Sequence, residues 1–214
     1  MTIVAESFLV AFLLTDLWLL GTSRLLACIS VVAAQGVLLG VLPLAISMDV
    51  PVWRLVLLMA VGFGLKGVVF PVLLRRAVRR VEIRSEVEPF IGYSLSLLTG
   101  VLMLAASLYI GISLPIPGAL RPLLLVPGAF FTAITGLFLI IARKSAIMQA
   151  LGYLVMENGI SAFGMALAER EPLLVEMGTL LDAFVAVFVM GITIFHINKE
   201  FDHIDSGRLS SLKD

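Results

Sequence analysis

An all-α, polytopic membrane helical bundle of about seven transmembrane helices is the fold this sequence predicts. Three observations carry it. First, the 214 residues are 60% hydrophobic and 14% charged, with a mean hydropathy of +1.11, more apolar surface than a soluble domain needs. Second, the apolar residues fall into stretches long enough to cross a bilayer, separated by short polar or proline-containing connections. Third, the basic residues collect on alternate connections, as the cytoplasmic loops of membrane proteins require.

The spans are predicted at about 3–20, 25–46, 52–74, 90–112, 122–142, 145–167 and 173–197. Asp49-Val50-Pro51 and Leu114-Pro-Ile-Pro-Gly118 punctuate two of the connections. The longest connection, Arg75 to Pro89, holds five arginines and three glutamates and is expected to extend a helix beyond the membrane. No connection is long enough for a separate catalytic domain. The N-terminal stretch carries Glu6 and no basic region before its apolar run, so it reads as a retained helix.

Eleven basic residues lie on one side: Arg24, the five arginines from Arg75 to Arg84, Arg143, Lys144, Lys199, Arg208 and Lys213. Three lie on the other, Arg54, Arg121 and Arg170, and Lys66 is inside a span. That asymmetry places the N-terminus outside and the C-terminus in the cytoplasm of a cell membrane. Formal net charge is zero, which gives no electrostatic case for nucleic acid. The single cysteine, Cys28, excludes an intrachain disulfide and reads as a small core residue.

Chemistry concentrates in the sixth span. Glu157 lies near the middle of a segment roughly 34 Å long. Gln149, Tyr153, Glu157, Ser161 and Gly164 form one polar or small stripe at helical spacing. A charge at the centre of a lone spanning helix costs about 2.5–3.5 kcal/mol, so an intramembrane carboxylate points to an ion or substrate path. The alternative is a bundled helix whose glutamate only bonds a neighbour.

Asp182, slightly outside the midpoint of the seventh span, falls at a depth similar to Glu157 if those two spans are antiparallel neighbours. Two carboxylates close together in low dielectric cannot both ionise cheaply, a property suited to proton relay. Two separately neutralised structural acids are the other reading.

Lys66 sits in Val61-Gly-Phe-Gly-Leu-Lys-Gly-Val-Val-Phe-Pro71, where three glycines and a proline suggest a deformable helix. It reads as a counter-charge or second relay member, against the option of snorkelling to the cytoplasm. Asp16, near the inner end of the first span, and Glu6, near its outer end, are candidates for interfacial water. His196 at the inner end of the last span is a possible proton shuttle or a solvated surface group. His203 is given no role. No metal-ligand cluster, phosphate-binding glycine loop or nucleophile elbow has the right context, and Gly62-Phe-Gly64 lies inside a span.

A weak internal echo relates the two ends of the chain. Ser23 to Gln35 and Ser145 to Glu157 are both twelve residues. Spans one to three and five to seven would share orientation, with span four as connector, a possible degenerate repeat of a three-helix unit. The divisions expected on this basis are 1–74, a basic loop and connector helix at 75–121, a second three-helix unit at 122–198, and a cytoplasmic tail at 199–214.

Arg143-Lys-Ser-Ala-Ile-Met-Gln-Ala-Leu-Gly-Tyr-Leu-Val-Met-Glu-Asn-Gly159, Pro172-Leu-Leu-Val-Glu-Met-Gly178 and Asp182-Ala-Phe-Val-Ala-Val-Phe-Val-Met190 resemble component E of the hydrogenase-4 type membrane-bound hydrogenases. The tail Leu209-Ser-Ser-Leu-Lys-Asp214 also fits. The C-terminal part is similar to the three-helix K-type subunit of respiratory complex I and its counterpart in Mrp-type sodium/proton antiporters. Those subunits keep a glutamate in each of two successive helices. Glu157 matches the first by position, and Asp182, one methylene shorter, stands where the second would be. Arg143 or Lys144 matches the basic flank before the first glutamate. In the N-terminal half, Gln35 and Lys66 stand where a duplicate would need acids.

The resemblance implies a non-catalytic membrane-arm subunit of an energy-converting hydrogenase or formate-hydrogenlyase-like complex. Glu157, Asp182 and Lys66 would translocate protons or Na⁺, with Asp16, Gln35, Tyr153 and His196 as possible auxiliaries. It implies antiporter-like membrane subunits and soluble hydrogenase subunits as partners. The nickel-iron centre and iron–sulfur clusters would belong to those partners, and no cofactor to this chain. A structural bridge between antiporter-like subunits and a stand-alone ion transporter are the alternative readings.

Overall fold

A computed structural model describes residues 2–46, 52–81, 89–114, 122–167 and Gly191. Those residues are helical almost throughout, and no strand occurs among them. The elements are α1 (Thr2–Gly21), α2 (Leu25–Ala45), α3 (Val52–Ala60), a π-helical segment (Val61–Val69), α4 (Phe70–Val81), α5 (Tyr93–Ser113), α6 (Leu125–Ala142) and α7 (Ala146–Leu167). Five helices are long and apolar enough to cross a membrane: Ile3–Gly21, Leu25–Ala45, Tyr93–Ser113, Leu125–Ala142 and Ala146–Leu167. They match the first, second, fourth, fifth and sixth predicted spans. The predicted seventh span, 173–197, with Asp182 and His196, lies outside the described residues.

The predicted third span is one unbroken helical run from Val52 to Val81, and its middle is π-helical. The cause is local. Pro71 has no N–H to give to the carbonyl one turn back, and the glycines at 62, 64 and 67 lower the cost of widening the helix. Beyond the π segment the run continues through Arg75 and Arg76 to Val81. The expected extension past the apolar stretch is present that far.

One other proline falls where a helix tolerates it. Pro127 occupies the first turn of α6, where its missing N–H has no intrahelical partner to lose. Pro43 falls in the last turn of α2.

The five long helices are apolar around most of their circumference, and the outward sides stay exposed in the isolated chain. On α1, Val10, Leu14 and Trp18 repeat every four residues and face away from the bundle. On α5, Leu95, Leu98, Leu102 and Tyr109, at i, i+3, i+7 and i+14, also face outward. Exposed apolar surface of this extent belongs in lipid, where a helix satisfies its own backbone hydrogen bonds. The protein is a multi-pass membrane protein.

Inside, two apolar clusters occupy opposite ends of the bundle. One gathers Leu19, Leu25, Cys28, Ile29, Val32, Phe70, Leu139, Leu151 and Val155. The other gathers Leu9, Phe12, Leu39, Leu125, Ala129, Ala162 and Met165. Cys28 is a buried core residue, as its sequence context suggests.

Chain direction follows from the contacts. Asp16 meets Thr132 and Leu20 meets Arg143, so α1 and α6 run the same way. Helices α6 and α7, joined by residues 143–145, form an antiparallel hairpin packed backbone to backbone along Gly136, Gly152 and Gly159.

Candidate functional site

Between the two apolar clusters lies a layer of buried polar side chains. On α1, Asp16 sits between Phe12 of one cluster and Leu19 of the other; on α2, Gln35 sits between Leu39 and Val32. Thr132 on α6 lies between Ala129 and Leu139, and Glu157 on α7 between Ala162 and Val155. The layer divides into two hydrogen-bonded groups.

The first group joins the π segment to α7. Lys66 Nζ lies 2.6 Å from both carboxylate oxygens of Glu157. Ser161, one turn along α7, donates its hydroxyl to Glu157 Oε1 at 2.7 Å and accepts from Lys66 Nζ at 3.1 Å. Lys66 is 4% exposed and Glu157 1%, so this ion pair is withdrawn from bulk solvent. Burial of this kind is tolerated only with close geometry and extra hydrogen bonds, and Ser161 supplies them. The snorkelling alternative for Lys66 does not occur: the side chain turns inward to Glu157.

Gly36 makes the approach possible. A Cβ built there would stand 2.6 Å from Lys66 Cβ and 2.9 Å from its carbonyl carbon, so the π segment lies directly on α2 at this glycine. Gly36→Ala is therefore expected to destabilise the purified protein by about 1–3 kcal/mol through overpacking. Gly64→Ala, with nothing within 4 Å of the new methyl, is expected to leave the thermal midpoint unchanged.

The second group joins α1, α2 and α6. Gln35 Nε2 donates to Asp16 Oδ1 at 2.7 Å and to Thr15 Oγ1 at 2.9 Å. Thr132 donates its hydroxyl to Asp16 Oδ2 at 2.5 Å. Asp16 is fully buried, which corrects the expectation that it reaches interfacial water. The end of α1 is roofed by Arg143, itself fully buried, which donates to the Leu20 carbonyl at 2.7 Å and stacks 4.5 Å above the Tyr93 ring. A cation against the last carbonyls of α1 suits the negative end of the helix dipole.

The remaining predicted positions are placed as follows. Tyr153 is partly buried against the apolar cluster on the side of α7 that carries Glu157. Gln149 turns back to donate to the Arg143 carbonyl at 3.0 Å, capping the α6–α7 turn. Glu6 accepts the Leu123 N–H and ties the start of α1 to the start of α6. Among the described residues no group of three or more His, Cys, Asp or Glu could hold a metal ion.

Five buried polar residues escaped the sequence reading: Ser96, Ser107, Thr132, Thr135 and Asn158. Thr132 and Thr135 repeat at i, i+3 on α6, a signal that was present but weak. Asn158 lies off the Glu157 stripe, and nothing in its spacing distinguishes it. Among the described residues, neither end of the Asn158 amide has a hydrogen-bond partner, nor do Gln35 Oε1 and Thr135 Oγ1. Each such buried group costs about 1–3 kcal/mol unless water satisfies it.

A multi-pass helical bundle whose mid-layer holds a buried lysine–glutamate pair and a buried aspartate is a membrane protein of the charge-bearing-core class. Over 162 residues the chain is 30% identical to hydrogenase-4 component E of Escherichia coli, covering 75% of this chain and 74% of the relative. It belongs to the hydrogenase-4 component E family. It is also 32% identical over 194 residues to an uncharacterised protein of Mycobacterium tuberculosis, covering 88% and 86% of the two chains. No family model and no solved structure matches the chain.

Proposed function

We propose that this chain is a membrane subunit of a hydrogenase complex in a prokaryotic inner membrane, and that its Lys66–Glu157 pair moves protons. The carrying observation is that pair: two opposite charges held at 2.6 Å inside an apolar bundle, one of them on a π-helical segment. In the closed pair the ammonium lies directly against the carboxylate. When charge on a neighbouring subunit draws Lys66 away, Glu157 loses its counter-charge and takes a proton from water. Return of Lys66 expels that proton, and the direction is set by which side is hydrated at each stage. A π segment suits this task, because interruptions of the regular ladder leave a helix free to shift locally.

Asp182 is proposed as the next acid on the path, with His196 and Tyr153 as auxiliaries. The redox centres would reside in partner subunits, including antiporter-like membrane subunits, in a formate-hydrogenlyase-like assembly. What this chain's own residues do on this reading is hold and release a proton at the Glu157 carboxyl.

Glu157→Gln tests the reading. It keeps the shape and the Ser161 hydrogen bond while removing the titratable oxygen. In inside-out vesicles the assembled variant complex is expected to evolve hydrogen yet lose proton translocation about tenfold or more. Unchanged translocation in assembled variant complexes would sink the role. Loss of assembly, with Lys66→Met/Glu157→Gln assembling normally, would favour the structural bridge.

A further inference from the structure

We propose that Asn158 and Gln35 hold ordered water at a junction that joins the Asp16 and Glu157 carboxyl groups into one protonic path. This rests on the proton-moving reading of Glu157 and extends it to a second acid.

The two polar groups meet at α2. Gln35 reaches Asp16, and the next residue, Gly36, lies against Lys66, which reaches Glu157. Gly36, Lys66 and Glu157 therefore form one chain of contacts, Asp16 joins it through Gln35, and all lie in the layer between the two apolar clusters. The register of α7 places Asn158 on the same side. Glu157 faces the π segment and Gly159 faces Ala133 of α6, so the 100° advance per residue turns Asn158 to the third side. That side also carries Leu151, Leu154, Val155 and Ala162, members of the apolar clusters to which α2, a packing neighbour of α7, contributes.

Asn158 is 1% exposed, and both its Nδ2 and its Oδ1 are without partners among the described residues. Gln35 spends its Nε2 on Asp16 and Thr15, which leaves Oε1 similarly unpartnered. Three unpartnered polar atoms in one buried layer suit ordered water, which needs two to four polar neighbours. An amide that both donates and accepts fixes such water without competing for its proton.

Among the described residues the charged groups around the path are few. Asp16 is faced by Thr15, Gln35 and Thr132, all neutral, and Glu157 by Lys66 and Ser161. Arg143 is turned to the Leu20 carbonyl and the Tyr93 ring. Transfer is balanced: the protonated Asp16 gives its proton to water, and that water gives one to the Glu157 carboxylate. One proton moves toward Glu157 and one negative charge moves to Asp16.

The test replaces Asn158 by leucine, an apolar side chain of similar size. In inside-out vesicles, Asn158→Leu complexes are expected to translocate protons about tenfold more slowly or worse while hydrogen evolution and assembly persist. Asn158→Ser, which keeps a polar atom and room for water, is expected to retain most of the native rate. In infrared spectra of the purified full chain, a water band that shifts in heavy-oxygen water is expected in the native protein and lost in Asn158→Leu. That readout stands even if the leucine complex fails to assemble. Native translocation by Asn158→Leu, or an unchanged water band, overturns the junction. If Glu157→Gln also translocates normally, the reading of the Lys66–Glu157 pair has failed; if Glu157→Gln is blocked, only the junction has.

Discussion

Lys66→Met alone is expected to lower the stability of the purified chain by about 3–5 kcal/mol, and Glu157→Leu by a similar amount, because each leaves a buried charge without its partner. The double variant is expected to regain most of that loss. Two apolar side chains of similar volume need no counter-charge in a bundle already lined by Leu154, Val155 and Phe70. Unfolding in mixed micelles gives the three free energies, and the coupling between the two substitutions is the quantity of interest. Additive effects would show that the 2.6 Å contact carries no net interaction. The functional consequence separates stability from conduction. A double variant as stable as the native chain, assembled and without proton translocation, places the pair in conduction. One that is stable and still translocates removes it.

The fold class was legible because the bilayer imposes length and composition on every span, and neither depends on tertiary contacts. Glu157 stood out for the same reason: a carboxylate amid Leu, Val, Met and Gly is visible in one dimension. Its partner was not. Lys66 lies 91 residues away, and the sequence singled it out as intramembrane without saying which acid it meets. The pairing depends on Gly36 letting the π segment rest on α2, a contact among three separate helices. Asp16 shows a different gap. Counting residues along a helix gives depth but not cover, and Asp16 is sealed by Gln35, Thr132 and the Arg143 roof despite its place near the end of α1. Asn158 was invisible because one amide beside one glutamate carries no periodicity; only its burial and its unpartnered atoms mark it.

Gly136→Val is expected to break the α6–α7 hairpin. Helices in lipid gain little from hiding apolar surface and are held by close contact, so a small residue at the crossing decides how near the backbones come. At Gly136 a Cβ would overlap the Met156 backbone nitrogen and lie 2.5 Å from the Gly152 carbonyl oxygen. Both are backbone atoms within a helix, unable to rotate aside as a side chain would. Overpacking of a core ordinarily costs about 1–3 kcal/mol, and a β-branched side chain against backbone belongs at or above the top of that range. Gly164→Ala, on the same hairpin but with nothing within 4 Å, is expected to be neutral in the same unfolding measurement. The effect reaches the charged site as well. Met156 and Glu157 are consecutive on α7, so a displacement that relieves the clash at Met156 carries Glu157 with it. A shift of about 1 Å exceeds what a hydrogen-bonded ion pair tolerates, since such contacts weaken steeply outside their normal distances. Gly136→Ala, the milder change, is therefore expected to reduce proton translocation even where the hairpin still forms. A Gly136→Ala complex with native stability and native translocation would show that the two helices have more room than this crossing allows.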